Sequence, residues 1–228
     1  MFNEWLGLIF AIVNLSFVLI IYRLFGRTGL FVWVGFSTVL ANIQVVKTIE
    51  IFHLTATLGN SIYGSAFLVT DILNEKYGKN EAKKAVWIGF TTLLMMTVIM
   101  QMVLLFQPSE FDIAHESLET IFSLTPRIAA GSLLAYIISQ MLDVYLFSFF
   151  KKLFPKDSQF WIRNNGSTMI SQLIDTLVFT SVAFIGVYSF DVWMDIFITT
   201  YVLKFIIAVL DTPFGYMAKR MNKKPLFK

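Results

Sequence analysis

The sequence predicts an all-α membrane protein, a polytopic bundle of about seven transmembrane helices, and three observations carry that reading. The 228 residues are 57% hydrophobic and only 14% charged, with a mean hydropathy of +0.70, far from the composition of a soluble domain. The apolar residues gather in runs close to the roughly 20 residues that a bilayer crossing requires. The basic residues collect at alternate ends of those runs. One integral membrane domain over residues 1–228 follows. The net charge of +3 is no nucleic-acid signature, since its basic residues sit at span ends. With no cysteine, disulfides and thiolate chemistry are excluded, and two scattered histidines, His53 and His115, suggest no metal site.

Seven runs qualify in chain order: 5–22, 30–46, 58–73, 85–106, 127–150, 167–187 and 192–209. The first lacks a basic leader and meets Tyr22-Arg23 rather than a small-x-small site, so it is expected to remain as a helix. The third is the weakest. It is short, carries Gly59 and Gly64 and closes on Asp71, which suits a broken or partly re-entrant segment buried in protein. Residues 47–57 before it are mixed, and either extend the second helix or lie at the interface.

Orientation follows from Lys and Arg. Arg23 and Arg27 join spans one and two; Lys76, Lys79, Lys83 and Lys84 join three and four. Lys151, Lys152, Lys156 and Arg163 join five and six, and Lys219, Arg220, Lys223, Lys224 and Lys228 form the tail. Seven alternating spans put all four groups, fifteen of the 18 Lys and Arg, on one face, while Glu110, Asp112, Glu116, Glu119, Asp191 and Asp195 lie opposite. The positive-inside rule then places the amino terminus outside and the carboxyl terminus in the cytoplasm. Trp5, Trp33, Trp87 and Trp193 stand at span ends, as an interfacial belt predicts.

Inside the membrane the chain uses one pattern twice. Ser139-Gln140-Met141-Leu142-Asp143 recurs 32 positions later as Ser171-Gln172-Leu173-Ile174-Asp175. On a helix, Tyr136, Gln140, Asp143 and Phe147 share one face, and Thr168, Gln172, Asp175 and Phe179 share another. Asp143 lies eight residues before Lys151 and Asp175 eight after Ser167, so both carboxylates are expected ~12 Å from the cytoplasmic face and level with each other. Lys204 is a third intramembrane charge, with Tyr201 and Asp211 on its face. Such charges mark substrate or ion paths by default. The plainer reading is one buried ion cluster of Asp143, Asp175 and Lys204 that fixes helix packing. Asn42 and Gln44 read equally well as interhelical glue. Asp71, Asn74 and Glu75 sit near the cytoplasmic interface, where they can cap a helix or pair with Lys76. Met95, Met96, Met100 and Met102 read as packing against helices or lipid.

Asn42, the segment Phe67-Leu68-Val69-Thr70-Asp71-Ile72-Leu73-Asn74-Glu75-Lys76-Tyr77-Gly78, the run Arg127-Ile128-Ala129-Ala130-Gly131-Ser132, the two Ser-Gln-x-x-Asp stripes, and Lys204 with Pro213 resemble the queuosine-precursor transporter family, also called the vitamin-uptake-transporter family. The resemblance covers about residues 32–216. It implies a six-helix transporter core there, to which span 5–22 is an added N-terminal helix. It also implies a multi-pass protein of the bacterial inner membrane that imports 7-deazaguanines such as the 7-cyano and 7-aminomethyl precursors. Asn42, Asp71 and Arg127 then join Tyr136, Gln140, Asp143, Gln172, Asp175 and Lys204 as expected substrate-binding residues, and no cofactor is implied. Asp211 matches the family less firmly than Lys204.

The ligand's chemistry suits those residues. A deazaguanine presents N1–H and its 2-amino group side by side, a fork that a carboxylate accepts bidentately. Its 6-oxo group needs a donor, such as a Gln amide or Lys204, and its flat face suits Tyr136, Phe147 or Phe179. Three function classes follow: a secondary transporter working alone, with a proton as a candidate coupling ion; a substrate-binding component of an energy-coupling-factor transporter; and an intramembrane aspartate-dependent enzyme. The last lacks the Gly-Asp context such enzymes need, because Leu142 and Ile174 precede the acids. A second copy of the chain, in a homo-oligomer, is a further candidate partner.

Overall fold

The computed structural model describes residues 2–51, 54–123, 126–223 and 225–227. The first two predicted spans form one element, α1 (Phe2–Gln44), but Gly26 within it has φ 59° and ψ −136°. There the chain turns back on itself. The Phe17 and Trp33 rings lie 6.4 Å apart, where 16 residues of straight helix would separate them by ~24 Å. Only glycine tolerates that backbone cheaply. The carbonyls of Arg23 and Leu24, left free by the break, accept the amides of Leu226 and Phe227 at 3.1 and 3.0 Å.

Residues 47–57, read as mixed, form a small antiparallel hairpin of β1 (Thr48–Ile51) and β2 (Leu54–Thr57), with Thr48 opposite Thr57 and Ile51 opposite Leu54. Thr-Ile-Glu-Ile is an alternating, β-branched segment, which favours a strand over another helical turn. Then come α2 (Gly59–Tyr77), α3 (Lys79–Leu104), the exposed α4 (His115–Phe122), α5 (Pro126–Leu153), a 3-10 turn (Asp157–Gln159), α6 (Phe160–Phe184) and α7 (Phe190–Arg220). Asp112 accepts the Ala114 and His115 amides at 2.8 and 3.1 Å at the start of α4.

Side-chain pairs fix the direction of each helix. Trp33 meets Ser65 while Ala41 backs Gly59, so the second half of α1 runs against α2. Thr70 meets Gln140 and Asn74 meets Val144, so α2 and α5 run parallel. Lys83 meets Tyr145 and Gly89 meets Tyr136, so α3 opposes α5. Ser139 meets Asp175 and Ser171 meets Asp143, so α6 opposes α5. Asn164 meets Asp211 and Asp175 meets Lys204, so α7 opposes α6. Counting α1 twice, seven helical segments alternate in direction, as the charge pattern predicts.

Five of the helices are long and apolar enough to cross a membrane, and α1, folded at Gly26, crosses twice by that measure of length. The short third segment, read as open to a break or a partly re-entrant course, is one continuous helix through Gly64. Its glycines admit neighbours instead: a Cβ at Gly64 would run into the Ile207 side chain, and one at Gly59 into the Ala41 carbonyl, a familiar use of small residues between membrane helices. Most of α2 from Ile62 to Asn74 is buried, so its polar residues are shielded from lipid. Met95 and Met102 face outward, as read. Trp33, assigned to an interfacial belt, is buried and donates its indole N–H to Ser65 Oγ at 2.8 Å.

Candidate functional site

Four helices contribute one polar stripe each to a common core. From α2 come Tyr63, Thr70, Asp71 and Asn74; from α5, Tyr136, Ser139, Gln140 and Asp143; from α6, Asn164, Thr168, Ser171, Gln172 and Asp175; from α7, Lys204 and Asp211. Nearly all are buried, and Asp71, Gln140, Asp143 and Gln172 are at most 1% exposed. Helical period alone puts each set on one face.

The repeated motif shows its purpose in the pairing. Ser139 Oγ donates to Asp175 Oδ1 at 2.8 Å, and Ser171 Oγ donates to Asp143 Oδ1 at 2.9 Å. The serine of each copy thus binds the aspartate of the other, a local two-fold relation. The same register overturns the expectation of level carboxylates. Asp143 stands opposite Ser171 and Asp175 opposite Ser139, so the two acids are staggered by about one turn, ~6 Å along the helix pair. Counting from Lys151 and from Ser167 assumed that both helices end at one depth, whereas the two ends project differently.

The single ion cluster of the plainer reading divides accordingly. Lys204 Nζ pairs with Asp175 Oδ2, both nearly buried, and Tyr63 donates its hydroxyl to Asp175 Oδ1 at 3.0 Å. Lys204 also lies 5.6 Å from the Tyr63 ring centroid. Asp143 has a different neighbour: its carboxyl lies against that of Asp71, bracketed by the Thr70–Gln140 and Asn74–Val144 contacts. Thr168 donates to Asp71 Oδ2 at 3.5 Å. Among the described residues, neither Asp71 nor Asp143 has a cation partner. Two ionised carboxylates 4 Å apart repel by about 4 kcal/mol at an effective dielectric of 20.

Several polar atoms here are buried without a hydrogen-bond partner among the described residues. They are Asp71 Oδ1, Asp143 Oδ2, Gln172 Oε1 and Gln140 Nε2. The Gln140 amide is nearly unpaired altogether, because the Thr70 hydroxyl lies closer to the Phe67 carbonyl (2.9 Å) than to Gln140 Oε1 (3.4 Å). Leaving one such group unsatisfied costs about 1–3 kcal/mol, so a cluster of them asks for an explanation. The Tyr136 and Tyr63 ring centroids lie 6.1 Å apart beside these atoms. Gly89 gives Tyr136 its room, since a Cβ there would overlap the phenol hydroxyl.

Of the nine expected site residues, seven converge here: Asp71, Tyr136, Gln140, Asp143, Gln172, Asp175 and Lys204. Asn42 is turned to its own helix, donating to the Thr38 carbonyl at 3.0 Å. Arg127 lies exposed at the far end of α5, ~24 Å along the axis from Asp143, where it donates to the Val182 and Ile185 carbonyls at the end of α6. Phe147 packs on Phe160 and Phe179 on Phe184. Sequence reasoning missed Tyr63 and the two bridging serines. The stripe Tyr63–Phe67–Thr70–Asn74 at helical spacing was a legible sign of the first.

One turn beyond Asp71, Glu75 closes the core. Its Oε1 meets Arg163 and Lys219 at 2.9 Å each, and its Oε2 meets Lys151 at 3.4 Å, joining α2, α5, α6 and α7. Lys76, its expected partner, instead donates to the Ala218 and Lys219 carbonyls at 2.8 and 3.3 Å. A lysine there answers the unpaired carbonyls at the end of α7.

A family model described as "Putative vitamin uptake transporter" matches residues 57–218, the span that contains every one of the converging residues. A Bacillus subtilis protein named "Probable queuosine precursor transporter" is 57% identical over 97% of this chain and 96% of its own. A Haemophilus influenzae protein of the same name is 26% identical over 88% of this chain and 82% of its own. An Escherichia coli protein named "Queuosine precursor transporter" is 26% identical over 75% of each chain. No solved structure matches the chain.

Proposed function

The chain belongs to the vitamin uptake transporter family, and from that premise we propose that it imports a queuosine precursor, a 7-deazaguanine base, by alternating access around the polar core. It is a multi-pass membrane protein by its apolar helices, and a transporter rather than an enzyme by its family and the names of its relatives. The observation that carries the substrate is the set of unpaired buried atoms. Gln172 Oε1 is an acceptor and Gln140 Nε2 a donor, and the facing Asp71 and Asp143 carboxyls are acceptors that a ligand's paired N–H groups would bridge. A deazaguanine offers the complement: N1–H, a 2-amino group and a ring N–H as donors, and a 6-oxo group as acceptor. Tyr136 and Tyr63 supply ring faces for stacking, and the Asp175–Lys204 pair supplies a second charged pole for the 7-substituent.

The core is closed, so a base reaches it only when helices part. The Glu75 contacts bar the end that bears the Lys and Arg clusters, which we assign to the cytoplasm, with the amino terminus outside and the protein in the inner membrane. We include a proton as the coupling ion. The facing carboxyls of Asp71 and Asp143, without a cation partner among the described residues because Lys204 is committed to Asp175 and the nearby cations to Glu75, support a proton as the balancing charge.

Uptake of labelled 7-cyano- and 7-aminomethyl-7-deazaguanine into cells lacking precursor synthesis tests the substrate. Expression should raise uptake, and Asp143→Asn should abolish most of the gain. Uptake no higher than in cells without the protein overturns the reading. In proteoliposomes, an acid-outside gradient should accelerate uptake; indifference to the gradient removes the proton.

A further inference from the structure

A groove of about 470 Å³ lies between the first half of α1 and the end of α7, outside the polar core, and it is lined by Leu19, Ile20, Arg23, Leu24, Met217, Arg220 and Met221. We propose that this groove binds an anionic phospholipid, with an acyl chain on the leucines and methionines and the phosphate on Arg23 and Arg220.

The lining divides by chemistry. Five of the seven residues are apolar, and the two that remain are both guanidinium side chains. Arg23 is the first cation after span 5–22, and Arg220 lies in the last turn of α7. The groove therefore sits where a crossing helix meets the headgroup region. Arginine's planar fork suits a phosphate bidentately.

Neither arginine has a carboxylate partner among the described residues, although their neighbours do. Arg27 pairs with Glu81 at 3.2 Å. Arg163 and Lys219 share Glu75, and Lys219 also holds Asp157. Among the described residues, Glu75, Glu81 and Asp157 at this end of the bundle are thus already engaged by other cations. A second copy of the chain would bring the same engaged acids, and so would not neutralise the pair. Free phosphate would satisfy the guanidiniums but would leave the apolar lining without an occupant. A phospholipid answers both halves, and anionic lipid near a basic membrane surface is favoured by roughly fivefold per Lys or Arg.

The position gives the lipid a structural role. The first half of α1 precedes the residues that match the family model, and α7 carries Lys204. A lipid in the groove bridges the two, beside the tail whose Leu226 and Phe227 amides bind the Arg23 and Leu24 carbonyls.

Native mass spectrometry of the purified full-length protein tests this. The protein is mixed with phosphatidylglycerol or phosphatidylcholine, with and without inorganic phosphate. Phosphatidylglycerol should be retained over phosphatidylcholine, and Arg23→Gln with Arg220→Gln should weaken its retention on the order of thirtyfold. Both side chains are exposed, so the double variant should elute and melt as the parent does. Met217→Trp, which fills the groove and keeps both guanidiniums, should weaken retention too, whereas Arg27→Gln should not. Equal retention of the two lipids overturns the proposal. So does competition by inorganic phosphate, which would reveal a simple anion site, and so does unchanged binding in either groove variant.

Discussion

At the scale of single residues, the two aspartates of the repeated motif are chemically alike but held differently. Asp175 balances Lys204 and accepts two hydroxyls; Asp143 accepts the Ser171 hydroxyl, lies beside Ser167 and Thr168, and faces another acid instead of a cation. Asp175→Asn leaves Lys204 buried and uncompensated, a loss of about 3–5 kcal/mol. Asp143→Asn removes a charge that faces Asp71 and keeps an amide oxygen to accept from Ser171, so it should cost only about 1 kcal/mol. Melting in detergent should therefore separate two mutants that both lose uptake, and adding Lys204→Met to Asp175→Asn should restore much of the lost stability. Equal melting temperatures for the two single mutants would refute this division. Gly89 is the second test. A methyl there overlaps the Tyr136 hydroxyl and Val34, an overpacking that costs about 1–3 kcal/mol and displaces a ring expected to stack on the base. Gly89→Ala should weaken ligand binding, with part of the stability returning in the double mutant with Tyr136→Phe.

At the scale of elements, α1 shows how one backbone position sets an arrangement. Its two halves are apolar enough to cross separately, and the reversal at Gly26 makes them antiparallel neighbours. A β-branched side chain at φ 59° carries strain of about 1–3 kcal/mol. Gly26→Val should lower the melting temperature accordingly. Gly35→Ala, in an ordinary helical turn with only Thr92 nearby at 3.4 Å, should leave it near that of the parent. If the two variants melt alike, the turn at Gly26 is not the constraint. The pairing of α5 with α6 is set by side chains instead: two serine–aspartate bonds of opposite sense hold one register.

At the scale of the whole molecule, the alternation of seven segments and the placement of fifteen of the 18 Lys and Arg make one statement about topology. Reporters fused to the two ends should therefore report opposite sides of the membrane, the carboxyl-terminal one in the cytoplasm. Both on one side would break the count. Buried polar residues and bundle packing also belong at this scale, because the core exists only where stripes from α2, α5, α6 and α7 meet.

What the sequence determined by itself was what depends on local period and local solvent. Runs of apolar residues marked the crossings, the Lys and Arg pattern marked their alternation, and 3.6-residue spacing put Gln140 with Asp143 and Gln172 with Asp175 on shared faces. The tertiary structure decided what lies between helices. It paired Lys204 with Asp175 rather than with both acids, brought Tyr63 and two serines into the core, set the acids a turn apart, and sent Arg127 and Asn42 elsewhere. It also made the third segment one continuous helix, in which Gly64 admits the Ile207 side chain. A side chain's face is fixed by its own helix, whereas its partner depends on the depth and register at which another helix packs, and no local pattern encodes those.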